Sequence, residues 1–120
     1  SLGSLKEMDL SECENLIEIP DLSKATNLKL LCLGGCKSLV TFPSTIGNLQ
    51  KLVRLEMKEC TGLEVLPTDV NLSSLETLDL SGCSSLRTFP LISKSIKWLY
   101  LKNTAIEEVP CRIENFLRLS

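Results

Sequence analysis

The chain has 120 residues, 13 Lys plus Arg against 15 Asp plus Glu, and no histidine. A formal charge of −2 provides no basic field for nucleic acid or an anionic membrane surface, and the absence of His excludes Ser-His and Cys-His dyads and any His-ligated metal. Apolar runs stay far below the ~20 residues of a membrane span, and aromatic residues, at only 4%, leave an aliphatic core as the expectation.

Taken in chain order, the sequence repeats itself. From Leu5 it reads Leu5-Lys-Glu-Met8-Asp-Leu10-Ser-Glu-Cys13-Glu-Asn-Leu16-Ile-Glu-Ile19-Pro20. The phrase returns from Leu28 through Leu31, Leu33, Cys36, Leu39 and Phe42-Pro43. It returns from Leu52 through Leu55, Met57, Cys60, Leu63 and Leu66-Pro67, and from Leu75 through Leu78, Leu80, Cys83, Leu86 and Phe89-Pro90. A fifth copy, from Ile96 through Leu99, Leu101, Thr104, Ile106 and Val109-Pro110, is one residue shorter. The starts lie 23, 24, 23 and 21 residues apart, and Leu119 lies 23 after Ile96, where a sixth copy is expected to begin. Pro20, Pro43, Pro67, Pro90 and Pro110 share one phase of the period, and Cys13, Cys36, Cys60 and Cys83 share another.

In each Leu-x-Leu the two apolar side chains face one side of a short strand and the residue between them faces the other. A lone strand of this kind cannot bury its apolar face, so stacking of successive copies into a parallel sheet is expected. The return segment needs no ladder hydrogen bonds and tolerates proline, whose φ is held near −65°. Thr45-Ile-Gly-Asn-Leu49 is the best candidate for a helical turn on that leg. The pattern L-x-x-L-x-L-x-x-C-x-x-L-x-x-Φ-P, with Φ an Ile, Phe, Leu or Val, resembles the leucine-rich repeat over the whole chain. The expected fold is an α/β solenoid, an open horseshoe of about five repeats, with a short-stranded parallel concave sheet and an irregular or short-helical convex side.

Several motifs invite chemistry and are better read as scaffold. The repeat-phased Cys13, Cys36, Cys60 and Cys83 contain no C-x-x-C pair and are expected to point inward, hydrogen-bonding a neighbouring backbone as buried thiols. Thr104 fills the same slot in the fifth copy. Side chains stacked in parallel fit poorly with disulfide geometry, and unpaired thiols favour a reducing compartment. Cys32 and Cys111 fall outside this phase. Asn71-Leu-Ser73 matches a glycosylation acceptor, but among six asparagines one accidental match is ordinary. Gly34-Gly35 lacks the Gly-Lys-Ser/Thr of a phosphate loop and is expected to supply backbone freedom at a strand end. Asp9, Glu56 and Asp79 share a column with Cys32 and Tyr100, and solvated surface is the expectation for the acids. No catalytic, cofactor-binding or metal-ligating set is present in these patterns.

The outward strand positions form three columns. The middle column is Asp9, Cys32, Glu56, Asp79 and Tyr100. Two residues earlier lie Glu7, Leu30, Arg54, Thr77 and Trp98, and two residues later Ser11, Gly34, Lys58, Ser81 and Lys102. These columns are the expected partner-binding surface. Trp98 and Tyr100 are the only Trp and Tyr of the chain and share this face, where exposed aromatics mark contact sites.

Phrases such as Leu16-Ile-Glu-Ile-Pro-Asp-Leu-Ser23, Leu78-Asp-Leu-Ser-Gly-Cys83 and Leu101-Lys-Asn-Thr-Ala-Ile106 are similar to plant intracellular immune receptors of the Toll/interleukin-1-receptor type, in the downy-mildew-resistance group. The resemblance implies a parent with a TIR domain, a nucleotide-binding switch domain and then leucine-rich repeats, in the cytoplasm or nucleus. It implies repeats that recognise a pathogen effector or host protein and hold the switch domain inactive. Any NAD-cleaving activity would belong to the TIR domain, outside this chain. The opening at Ser1 shows no charged or apolar leader, and the chain breaks off mid-phrase at Phe116-Leu-Arg-Leu-Ser120, so a segment of a longer protein, uncapped at both ends, is expected. Two other readings remain open at this point: the substrate-binding repeats of a ubiquitin-ligase F-box adaptor, and a fragment of a membrane-receptor ectodomain.

Overall fold

The structure, a computed structural model, describes residues 2–108 and the strand Arg118–Leu119. Six short strands occur in sequence: β1 (Glu7–Asp9), β2 (Leu30–Cys32), β3 (Arg54–Glu56), β4 (Thr77–Asp79), β5 (Trp98–Tyr100) and β6 (Arg118–Leu119). They lie side by side in chain order in one parallel sheet, so neighbours in sequence are neighbours in space. The register keeps the repeat phase throughout: Met8 pairs with Leu31, Leu31 with Leu55, Leu55 with Leu78 and Leu78 with Leu99. Differences in repeat length are therefore absorbed by the return legs. This is the expected leucine-rich-repeat solenoid.

One phase differs from expectation. β6 pairs Leu119 with Leu99, so Leu119 occupies the mid-strand position and does not open a sixth copy.

The core is one aliphatic cluster, as the scarcity of aromatics implied. Leu28, Leu31, Leu33, Leu39, Leu52, Leu55, Met57, Leu63, Leu75, Leu78, Leu80 and Leu86 are fully buried, and the return legs add Ala25, Leu49 and Leu72. Burying one such leucine contributes roughly 1.5–3 kcal/mol, so the central turns hold the stack together. In the first turn, by contrast, Leu5, Met8, Leu10 and Leu16 are only partly buried, and so are Leu101 and Ile106 in the fifth.

The expected helical turn forms as a 3-10 helix over Ser44–Asn48, entered through Pro43 at φ −69° and ψ 148°. Proline fits this entry because its fixed φ matches the extended conformation and no ladder bond is lost. A second parallel bridge on the return side pairs Thr41 with Val65. Pro110 and Cys111 lie outside the described residues.

Beyond each strand the ladder continues for several residues. Leu10 N–H donates to Cys32 O at 2.8 Å, Leu33 to Glu56 at 2.7 Å, Met57 to Asp79 at 2.8 Å and Leu80 to Tyr100 at 2.9 Å. Then the chain turns, and it does so in the left-handed region at the same repeat position every time: Glu12, Gly35, Glu59, Gly82 and Asn103 have φ between 59° and 83°. Gly35 thus has the conformational role expected of it.

Candidate interaction surface

The same turn places the phased cysteines. Cys36 Sγ donates to Leu10 O at 3.2 Å, Cys60 to Leu33 O at 3.0 Å and Cys83 to Met57 O at 3.0 Å. Each buried thiol thereby links its turn to the strand-end carbonyl of the turn before it. Contact with the Cys60 thiol, and then burial, push the Cys83 thiol upward in pKa, and burial does the same for Cys36. Two members depart from the expected pattern. Cys13, in the first turn, is exposed, because no earlier turn is packed on it among the described residues. Thr104 bonds its own repeat's Leu101 O at 2.9 Å, the local three-residue contact that a hydroxyl makes readily. Cys13, Cys32, Cys36, Cys60 and Cys83 are all free thiols.

On the opposite side of the sheet, the middle residue of each of the strands β1 to β5 points into the core and its two neighbours point out. Their environments are far from uniform. Arg54 grips Glu56 Oε1 through Nη2 at 2.8 Å and Nε at 3.1 Å, while Cys32 Sγ donates to Glu56 Oε2 at 3.1 Å. The thiol and then the guanidinium hold the Glu56 carboxyl below its usual range. Partial burial, followed by the Glu56 carboxylate, pushes the Cys32 thiol up to about 11. Cys32 is therefore a poor nucleophile despite its place on the face.

Asp79 corrects the expectation of a solvated acid. It is buried, with only 5% of its surface exposed. One carboxylate oxygen accepts from Ser81 N–H at 3.0 Å and the other lies 3.6 Å from Lys58 Nζ. Asp9 makes the equivalent turn with Ser11 N–H at 2.9 Å but stays exposed. The Ser11 hydroxyl first, and its N–H second, hold the Asp9 carboxyl low. In both turns an Asp side chain stands in for a backbone acceptor where the strand ends.

The centre of the face is thus internally compensated, and its flanks are more exposed. Glu7 and Asp9 stay exposed at the β1 edge, next to the half-buried Leu30 of β2. Thr77 is half-buried on β4. At β5, Trp98 is 43% exposed, Tyr100 is half-buried and Lys102 beyond it is exposed. Among the described residues no three potential ligands converge as a metal site, and no helix is long and apolar enough to cross a membrane. Two features were not anticipated from the sequence: the left-handed turn column beyond Gly35, and the exposed Ile17, Val40 and Val65 on the return flank. Glu, Gly and Asn recurring in one phase was the available signal for the first.

The Leucine Rich Repeat family model matches residues 74–94. In Arabidopsis thaliana, Disease resistance protein RPP4 is 83% identical over 120 residues, covering all of this chain and 10% of that protein. Disease resistance protein RPP5 is 91% identical over 109 residues, covering 91% of this chain and 8% of that protein. Protein SUPPRESSOR OF npr1-1, CONSTITUTIVE 1 is 80% identical over 119 residues, covering 99% and 8%. The chain spans about a tenth or less of the length of these relatives. The chain is a leucine-rich-repeat solenoid homologous along its length to plant disease resistance proteins.

Proposed function

We propose that this chain is part of the recognition surface of an intracellular immune receptor, in a parent that carries a TIR domain, a nucleotide-binding switch domain and further repeats. In that reading the strand face engages a pathogen effector or a host protein. Contacts between the repeats and the switch domain keep the receptor inactive, in the cytoplasm or nucleus, until recognition occurs. The observation that carries it is the likeness to disease resistance proteins along the whole chain, together with a strand face whose fifth turn presents Trp98 and Tyr100.

The test uses the full-length receptor in planta. Trp98→Ala with Tyr100→Ala is expected to abolish the defence response to a strain the receptor recognises, at unchanged receptor abundance. A return-leg variant, Thr45→Ala, should leave the response intact. A constitutive response from face variants would assign the face to autoinhibition. An undiminished response from the double variant would remove the aromatic pair from the recognition surface.

A further inference from the structure

Across the turns of β1 to β5 the strand face carries three cations in its outward columns, and they are not equivalent. Arg54 is neutralised by Glu56 at 2.8 Å. Lys58 faces the carboxylate of Asp79 at 3.6 Å. Lys102 makes no ion pair among the described residues, and the acid on the neighbouring turn, Asp79, is withdrawn from the surface at 5% exposure. Lys102 is exposed at the rim of the face.

Beside that charge lie the two aromatic side chains of the face. Tyr100 stands in register with Asp79 and Trp98 with Thr77, on adjacent outward positions of β5. An amphipathic indole with 43% of its surface exposed offers apolar area at low entropic cost, and a phenol adds a hydrogen-bond donor. An exposed ammonium on the same rim selects for negative charge.

Resting on the reading of the strand face as a recognition surface, we infer that the β5 turn takes an acidic segment of a protein partner, with a carboxylate set against Lys102 and the Tyr100 hydroxyl and an adjacent aliphatic or aromatic side chain laid on Trp98. The compensated centre of the face supplies shape to this contact and the fifth turn supplies its sign preference. A basic partner segment is disfavoured at this turn, and a neutral one gains only the apolar contact.

Trp98 is the single tryptophan, so its fluorescence reports on this turn alone. The probes are three terminally blocked peptides: Glu-Leu-Glu-Phe-Glu, its Gln-for-Glu counterpart and its Lys-for-Glu counterpart. The acidic peptide is expected to shift the indole emission saturably. The Gln peptide should bind about three- to fivefold more weakly, the size expected for loss of an exposed charge contact. Lys102→Gln should erase that difference, Lys102→Arg should keep it, and added salt should shrink it. Equal binding of all three peptides, or a preference unchanged in Lys102→Gln, would overturn the assignment. If the acidic peptide gives no shift while Trp98→Ala with Tyr100→Ala still silences the full receptor, the chemistry assigned here falls and the recognition surface stands. If neither experiment responds, both fall together.

Discussion

The thiol of Cys83 donates to the main-chain carbonyl of Met57 across 3.0 Å, from one turn of the solenoid to the one before it. That carbonyl also receives the N–H of Cys60 at 3.4 Å, a long contact, so the thiol supplies its better partner. Both cysteines are fully buried. Replacing Cys83 by Ala leaves that carbonyl only the long Cys60 contact and opens a small void, and should lower unfolding free energy by about 1–3 kcal/mol. Cys83→Ser keeps a donor of similar size and should lose less than the Ala variant. Cys13→Ala, at the exposed member, should stay within about 0.5 kcal/mol of wild type. Urea midpoints measure all three, and equal losses at positions 13 and 83 would remove the interturn bond as the reason for the cysteine phase.

The left-handed column carries its own packing rule. At Gly35 and Gly82, φ is 78° and 83°, and an added Cβ would strike the carboxylates of Glu12 and Glu59 from the preceding turns. Each Glu in the column lies over a glycine of the next turn. Gly35→Ala should therefore cost the ~1–2 kcal/mol of left-handed strain plus the displacement of the exposed Glu12 carboxylate. Adding Glu12→Gly should recover the steric part and leave the conformational part. A thermal-melt double-mutant cycle reads the coupling between the two sites. Additive effects would mean that the carboxylate moves aside without loss.

Much of this architecture is legible in the sequence because its physical causes are local and repeated. The inward leucines, the thiol slot and the proline entry to the return leg each recur in one phase, and Pro43 even locates the 3-10 turn that follows it. What the repeat does not encode is interaction between columns. Asp79 reads as an exposed strand residue, yet Lys58 and Ser81 enclose it; Asp9, in the same phase, stays open. The difference arises from the residue two places later on the neighbouring turn, a diagonal contact that no single-repeat consensus contains. Cys13 shows the converse: its phase predicts burial, and its place in the first turn leaves it exposed. The candidate surface was legible as columns, while the division into a compensated centre and an open β5 turn required the distances.

The five described thiols should react in a fixed order. With Cys111 replaced by Ser, an alkylating reagent at neutral pH should modify exposed Cys13 first. Cys32 should follow far more slowly, since a pKa near 11 in place of 9.0 leaves about a hundredfold less thiolate. Cys36, Cys60 and Cys83 should react only on unfolding. The raised value also has a consequence for stability. The folded state holds the Cys32 proton more tightly than the unfolded chain, so its contribution is complete below pH 9.0 and fades as pH rises towards 11. Mass spectrometry of timed digests gives the order, and Cys32 reacting as fast as Cys13 would contradict the Glu56 contact.

Glu56 links Arg54 and Cys32 into one latch across two strands, and its titration tests whether the centre of the face is preorganised. The thiol and the guanidinium favour the carboxylate, so its folded pKa lies below the ordinary 4.5. The sign follows directly: the latch contributes fully above pH 4.5 and is lost as pH falls through the lower folded value. The carboxyl carbon resonance of Glu56 should therefore titrate below 4.5 in the wild type, and Cys32→Ala should move the midpoint upward. Arg54→Met should move it upward as well, while leaving one uncompensated acid at the centre of the face. That variant should also weaken the acidic probe peptide at the β5 turn by less than about twofold, since two intervening strand spacings of ~4.8 Å approach the Debye length. A Glu56 midpoint at or above 4.5 in the wild type would show that Arg54 and Cys32 do not hold the carboxylate in solution.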